Sequence, residues 1–69
     1  MPFVSVKLLK GRSQEQKIEL VQAITDALET ICGAPRDGTM VVIDEYEKTN
    51  WSVAGEMISE RRPWRQPTT

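Results

Sequence analysis

The chain has 69 residues, with nine lysines and arginines against ten aspartates and glutamates, no histidine and one cysteine. A chain this short buries only about 60% of the surface that its unfolded form exposes, so we expect one small domain that gains stability by oligomerising. One cysteine and no histidine exclude an internal disulfide and leave too few ligands for a zinc site. The lack of histidine also excludes Ser-His and Cys-His nucleophilic catalysis and removes the commonest general base.

The formal net charge is −1, which bears on the partners of the protein. A nearly neutral chain lacks the basic surface that binds nucleic acid, and its apolar runs are too short to cross a bilayer. The first residues, Met-Pro-Phe-Val-Ser-Val-Lys, have neither the charged start nor the apolar stretch of a signal peptide. We therefore expect a cytoplasmic protein without nucleic-acid or membrane partners.

The first predicted element is a β-strand over Phe3–Leu9. Its side chains alternate between two faces, one with Val4, Val6 and Leu8 and the other with Phe3, Ser5, Lys7 and Leu9. This period of two residues is typical of a strand. The segment Lys10-Gly11-Arg12 ends the alternation.

A long amphipathic helix is predicted over Gln14–Cys32. Ser13 and Gln16 have the spacing of a capping box, which binds free N–H groups at the start of a helix. Apolar residues then recur at helical spacing, at Ile18, Leu20, Val21, Ile24, Ala27, Leu28 and Ile31. Gly33 suits a left-handed C-cap, and Pro35 prevents the helix from continuing.

A turn at Arg36-Asp37-Gly38 leads to a second strand, predicted over residues 39–46. This segment is rich in β-branched residues and too short for a helix, which favours a strand more buried than the first. Residues 51–55 are typical of a turn or short hairpin, and residues 56–62 of one helical turn or irregular chain. Residues 63–69 contain two prolines and no periodicity, so we expect a tail that orders only on a neighbouring subunit.

These elements predict an α+β fold: a small βαβ unit with parallel strands, followed by a C-terminal turn or hairpin. We expect residues 1–62 to form this single domain and 63–69 to form the tail. One helix covers only one face of a two-stranded sheet. The other face carries Phe3, Leu9 and alternate residues of the second strand, so we expect partner subunits to cover it.

Pro2 is the most informative position for chemistry. A proline directly after the initiator methionine permits removal of Met1, which would leave a secondary amine at the chain terminus. An α-amino group titrates nearer neutrality than lysine, and burial or a nearby arginine would lower its pKa further. Such a neutral amine can serve as the general base in a chain without histidine. Taken alone, Met-Pro is also a common start of a strand that needs no N–H there.

Short motifs follow one another along the chain in a distinctive order. After Pro2 come Gly11-Arg12-Ser13 with Glu15-Gln16-Lys17, Ala34-Pro35, Ile43-Asp44-Glu45, Asn50-Trp51, Gly55-Glu56 and Arg61-Arg62. This order resembles the 4-oxalocrotonate tautomerase family without gaps from Pro2 to about Arg62. The G-R-S-x-E-Q-K run, together with the chain length and the N-terminal proline, makes the resemblance specific.

The resemblance implies an isomerase that needs no metal or organic cofactor. Its reaction would be keto-enol tautomerisation of a small carboxylate, a 2-hydroxydienoate or 2-oxo acid such as 2-hydroxymuconate, as in the breakdown of aromatic compounds. It assigns the general base to Pro2, the binding of a substrate carboxylate to Arg12 and the lining of an apolar pocket to Trp51. It also implies a homohexamer, a trimer of dimers, in which each pocket draws on more than one subunit.

Two positions depart from the family pattern. Met40 stands where the family has a second arginine, which binds the other end of the substrate. Arg36, four residues earlier, is a candidate replacement, as are Arg61, Arg62 and Arg65, although each of the four also fits a solvated surface arginine. Val53 stands where related hydratase-dehalogenases have a carboxylate that activates water.

Two other functions stay open at this point. Proline-dependent decarboxylation or hydration of a short 3-oxo or unsaturated acid would use the same base. A non-catalytic oligomeric protein of the same fold would be consistent with Met40 and with a retained Met1. Without the resemblance, Arg12 is a loop cation placed near a helix N-terminus, and Trp51 is a core or interface aromatic.

Overall fold

The computed structural model describes residues 1–61. Strand β1 spans Phe3–Leu9, helix α1 spans Gln14–Cys32 and strand β2 spans Met40–Tyr46. A short hairpin follows, with β3 at Ser52–Val53 and β4 at Glu56–Met57. Within this part of the chain, no helix is long and apolar enough to cross a membrane. The tail predicted at residues 63–69, as well as Arg62 and Arg65, lies outside the described residues.

Strands β1 and β2 form the predicted parallel sheet, in a register that pairs Phe3 with Met40 and Leu9 with Tyr46. Because alternate residues share a face, one face carries Val4, Val6, Leu8, Val41, Ile43 and Glu45. Helix α1 lies on this face, since Lys17 of the helix pairs with Glu45. The opposite face, called the open face below, carries Phe3, Ser5, Lys7, Leu9, Met40, Val42, Asp44 and Tyr46.

Both predicted ends of α1 are confirmed. Ser13 Oγ accepts the N–H of Gln16 at 3.1 Å, and Gln16 Oε1 accepts the N–H of Ser13 at 2.9 Å, which completes the capping box. At the other end Gly33 is left-handed, with φ of 69°, and its N–H donates to the Glu29 carbonyl at 3.1 Å. A side chain is strained in this conformation, so glycine fixes the end of the helix.

The single chain has a very small core. Among the described residues only Leu9 and Ile58 are buried, with 7% and 2% of their surface exposed. No residue of β2 is buried, but only two of its seven residues are exposed, against three of seven in β1, where Leu9 is the one buried residue. Met40 and Val42 of β2 are exposed beside Phe3 and form an apolar row on the open face. The helix lies on the other face, so residues 1–61 leave this apolar row uncovered.

The chain after β2 folds back against the end of the sheet. Ala54 and Gly55 have φ values of 55° and 80°, and a two-residue hairpin turn with both φ angles positive is of type I′. The N–H of Ile58 donates to the Trp51 carbonyl at 2.8 Å and holds the base of the hairpin together. The predicted hairpin is thus present. It extends through β4, whereas the sequence predicts one helical turn or irregular chain from residue 56. A helical turn, a 3-10 helix, begins only at Ile58.

Leu9 corrects one part of the burial prediction. The sequence predicts that Leu9 needs a partner subunit, whereas it is buried within the chain itself. Leu9 pairs with Tyr46 in the register, and the ring of Trp51 packs edge-to-face against Tyr46. The segment that returns after β2 therefore shields this end of the open face, while the Phe3 end stays uncovered.

Candidate active site

Pro2 lies directly before β1 and extends the parallel ladder by one residue. Its carbonyl accepts the N–H of Met40 at 3.0 Å. A proline nitrogen has no hydrogen to donate, so the sheet uses only the carbonyl side of this residue. Met1 is 91% exposed. Removal of Met1 would therefore leave this pairing intact and convert the Pro2 nitrogen from an amide into an amine.

The Met1 side chain lies against Gly38. A Cβ on Gly38 would come within 3.2 Å of Met1 Cγ, which is closer than nine in ten ordinary Cβ contacts. Glycine at this position thus leaves room for Met1 beside the start of β1. Removal of Met1 would vacate the space that its side chain occupies beside Gly38.

Arg12 follows the opposite end of β1, in the loop that leads to α1. Its Nη1 donates to the Leu9 carbonyl at 3.2 Å, which anchors the guanidinium and leaves other N–H groups for a ligand. Arg12 lines a cavity of about 260 Å³ together with Leu8, Gln16, Lys17 and Leu20. The guanidinium and the positive end of the helix dipole both favour a carboxylate here.

Lys17 is a second cation at the Arg12 cavity. Its Nζ lies 2.9 Å from Glu45 Oε1, and this is the most shielded of the ion pairs in residues 1–61. The pair ties the first turns of α1 to the end of β2. It therefore fixes the position of the loop that carries Arg12.

Trp51 lines a different cavity, of about 270 Å³, together with Lys7, Tyr46, Asn50 and Ser52. We call it the Trp51 cavity. The rings of Trp51 and Tyr46 meet edge-to-face, with centroids 5.9 Å apart and planes at 74°. The two aromatic side chains give this cavity flat apolar walls beside the ammonium group of Lys7.

Arg36 lines neither of these two cavities. Its Nη1 makes ion pairs with Asp26 and Glu29 of α1. The hydrogen bond to Asp26, followed by the one to Glu29, raises the pKa of the guanidinium. The structure thus places Arg36 against the helix, and its role as a substitute for a second substrate-binding arginine stays a prediction.

A single chain does not bring Pro2, Arg12 and Trp51 together. Strand β1 has seven residues. At about 3.3 Å per residue, the strand separates Pro2 from the Leu9 end of the sheet by about 23 Å. Arg12 and Trp51 both lie near that end, but their cavities open on opposite faces of the sheet. A site that contains all three residues requires more than one copy of the chain.

Lys7 and Lys17 were not selected from the sequence as site residues. Lys7 is detectable in principle, because it is the one charged residue on a face of β1 that also carries Phe3, Ser5 and Leu9. Lys17 belongs to the helix-opening motif, but its partner Glu45 is 28 positions away along the chain. Only the folded chain shows that both lysines reach the cavities beside Arg12 and Trp51.

Comparison with known proteins identifies the class. The family described as "Tautomerase enzyme" matches residues 2–61. The chain belongs to this tautomerase family, whose members are isomerases. It is 42% identical to the 2-hydroxymuconate tautomerase of Bacillus subtilis strain 168 over 60 residues, which cover 87% of this chain and 97% of that protein. It is 48% identical to a probable tautomerase of Staphylococcus aureus strain Mu50 over 61 residues, 88% of this chain and 100% of the relative.

Solved structures share the fold. One of them is a homologue of 4-oxalocrotonate tautomerase that is 40% identical to this chain. Its structure matches with a TM-score of 0.84, and the match covers 87% of this chain and 98% of the homologue. A heterohexamer 4-oxalocrotonate tautomerase from Chloroflexus aurantiacus J-10-fl, 34% identical, also gives 0.84, over 90% of this chain and 100% of its own. The predicted family, the α+β fold and the isomerase class are confirmed.

Proposed function

We propose that the protein catalyses keto-enol tautomerisation of a small anionic 2-hydroxydienoate or 2-oxo acid, with Pro2 as the general base after removal of Met1. The observation that carries the proposal is the position of Pro2. Its nitrogen takes no part in the sheet, and removal of the exposed Met1 makes it a terminal amine. The name of the Bacillus subtilis relative supports 2-hydroxymuconate as a substrate to test.

The reaction needs one base that accepts and returns a proton. The Pro2 nitrogen takes the proton of the enol hydroxyl, the oxygen electron pair forms the carbonyl, and the conjugated double bonds shift. The distal carbon then takes the proton back from the protonated amine. Phe3 and Met40 are apolar neighbours of Pro2 at the start of the sheet, so the terminal amine would lie on an apolar part of the surface.

Arg12 and Trp51 would support this proton transfer from other subunits. The Arg12 guanidinium binds a substrate carboxylate and stabilises negative charge that moves toward it during the reaction. The Trp51 ring excludes water, and electrostatic interactions are stronger in a drier site. No other reagent is needed in this reaction, which is why we propose a cofactor-independent enzyme.

The assembly we propose is a homohexamer, a trimer of dimers, of single-domain subunits in the cytoplasm. The exposed row of Phe3, Met40 and Val42 and the two unpaired edges of the sheet support association. The Chloroflexus aurantiacus relative is a heterohexamer, which supports an assembly of six subunits, and the identity of the six subunits is part of our proposal. Closed symmetry would place Pro2 of one chain near Arg12 and Trp51 of others.

Product analysis of the wild-type protein tests the reaction class. We expect ultraviolet spectroscopy to show ketonisation of 2-hydroxymuconate or phenylenolpyruvate, with no release of carbon dioxide and no hydrated product. Decarboxylation or hydration of a short 3-oxo or unsaturated acid without ketonisation would favour the other proline-dependent reactions instead. Absence of all three activities in protein that has lost Met1 would favour a non-catalytic oligomer.

Replacement of Arg12 tests the carboxylate anchor. Loss of a charge-assisted hydrogen bond costs about 1.5–3 kcal/mol, so Arg12→Ala should lower kcat/KM for a dicarboxylate by about 10- to 150-fold. Arg12→Lys keeps the positive charge but loses the planar guanidinium group, so its kcat/KM should lie between that of the wild type and that of Arg12→Ala. Lys48→Ala, which removes an exposed cation that lines neither cavity, is the control. An equal loss for substrates with and without the distal carboxylate would show that Arg12 is not its anchor.

A further inference from the structure

The Trp51 cavity contains a cation that the mechanism above does not use. Lys7 reaches it from the middle of β1, on the open face. We propose that Lys7 binds a carboxylate group there, and that the cavity takes the carboxylate-bearing end of a small planar unsaturated acid. The identification of this acid as the substrate rests on the proposed function, whereas the binding itself can be tested separately.

The ammonium group of Lys7 is held in place but has bonding capacity left. Its Nζ donates to Tyr46 Oη at 3.1 Å and lies 3.3 Å from Asp44 Oδ2. Hydrogen bonds between an ammonium and a carboxylate are usually about 2.7–2.9 Å long, so the contact with Asp44 is loose, while the one with Tyr46 is an ordinary hydrogen bond. An ammonium has three N–H groups, and these contacts use two of them. The side chain is 59% exposed, so a ligand can reach the third.

The other walls of the cavity favour a flat, polar-ended ligand. The Tyr46 and Trp51 rings stand at 74° to each other and offer flat surfaces on which a conjugated chain or ring can pack. Asn50 and Ser52 add an amide and a hydroxyl that can donate to the same carboxylate. A cavity of about 270 Å³ is below the usual range for drug-sized ligands, which fits a small acid.

The position of Lys7 also fits the charge balance of the proposed site. Met40 leaves the Pro2 end of the sheet with apolar side chains, and Arg36 is paired with the helix. Arg12 would then supply one cation to a substrate with two carboxylates. Lys7 supplies a second cation in the cavity of Trp51, the residue that the resemblance places in the substrate pocket.

Removal of the Asp44 charge should change the affinity for an anion in the direction opposite to removal of the Lys7 charge. Its carboxylate lies beside the Lys7 ammonium and would repel a bound anion. Removal of the Lys7 charge should weaken binding, while removal of the Asp44 charge should strengthen it. A purely structural role of the Lys7–Asp44 pair predicts no such opposite effects.

Fluorescence titration of the assembled protein measures the binding. In a Trp64→Phe background Trp51 is the only tryptophan, and muconate or benzoate is the added probe. We expect both acids to quench the fluorescence of Trp51. Lys7→Met should raise Kd about tenfold, whereas Lys7→Arg, which keeps the positive charge, should retain most of the affinity. Asp44→Asn should lower Kd several-fold. Benzamide, which lacks the charge, should show no difference between the wild type and Lys7→Met.

Lys10→Met is the matched control for Lys7→Met. Lys10 has almost the same side-chain exposure, 58%, and also pairs with a carboxylate, that of Glu47, but it does not line the cavity. Equal changes in Kd for Lys7→Met and Lys10→Met would overturn the proposal, as would quenching that does not depend on Lys7. A normal circular dichroism spectrum and oligomer size for both variants show that folding is not the cause.

The two proposals fail in different ways. Lys7-dependent binding of muconate without any ketonisation would contradict the proposed function and leave the carboxylate site in place. Ketonisation of 2-hydroxymuconate with unchanged KM in Lys7→Met would contradict the carboxylate site alone. If both hold, Lys7→Met should raise KM for the dicarboxylate about tenfold with little change in kcat.

Discussion

Pro2→Ala is expected to lower kcat by up to about two to four orders of magnitude, the usual contribution of a well-placed general base. The substitution replaces a ring-held secondary amine with a primary amine that can rotate. The fold should persist, because the sheet contact of this residue is made by its backbone carbonyl, which alanine keeps. The measurement is the rate of ketonisation of 2-hydroxymuconate at saturating concentration, with the circular dichroism spectrum and the oligomer size recorded for each protein.

Two controls make the result specific to the terminal nitrogen. Pro35→Ala makes the same substitution at a proline whose nitrogen stays in a peptide bond, and it should leave kcat unchanged. Intact mass should show that the active protein lacks Met1, and a form that retains Met1 should be inactive because its Pro2 nitrogen is an amide. Full activity in Pro2→Ala, or in protein that keeps Met1, would remove Pro2 as the base.

Local sequence signals predict the secondary structure well. The bounds of β1 and α1 agree with the predicted ones, because the alternation of side chains, the capping box and Gly33 all act within a few residues. Strand β2 begins at Met40, one residue later than predicted, because the N–H of Thr39 donates to the Arg36 carbonyl and ends the preceding 3-10 turn. Strands as short as β3 and β4 have too few residues to show a period.

The pattern of burial could not be predicted in the same way. Periodicity shows which residues share a face, but not what covers that face. Leu9 and Phe3 lie on the same face of β1, yet the returning chain shields one end of it and leaves the other open. The apolar row at Phe3, Met40 and Val42 indicates an interface because residues 1–61, the part of the chain that the structure describes, do not cover it.

The resemblance selects Pro2, Arg12 and Trp51 as candidates and implies a pocket shared between subunits, whereas the distance that separates Pro2 from the other two in one chain follows from the length of β1. The surroundings of each cation depend on contacts between distant segments: Lys7 meets Tyr46 across 39 positions, and Arg36 turns toward Asp26 and Glu29. Asp26 and Glu29 are three residues apart, so their carboxylates lie on the same side of α1 and both attract Arg36. The closeness of Arg36 to Met40 in the sequence does not reveal this pairing.

The separation of Pro2 from Arg12 leads to the second large prediction, that each site is built from different chains. A Pro2→Ala chain keeps Arg12, and an Arg12→Ala chain keeps Pro2. If each site takes these residues from two chains, random mixing of the two variants makes about a quarter of the sites complete. If a site took both residues from one chain, no complete site would form at all.

The most direct measurement is therefore the activity of mixed oligomers. The two variants are unfolded together in equal amounts, refolded, and assayed at a low concentration of 2-hydroxymuconate, after light scattering and native mass spectrometry have shown mixed oligomers. Each variant refolded alone is the control. We expect the mixture to regain about a quarter of the wild-type activity. A mixture no more active than its parent variants, or a stable folded monomer with full activity, would contradict a site shared between chains.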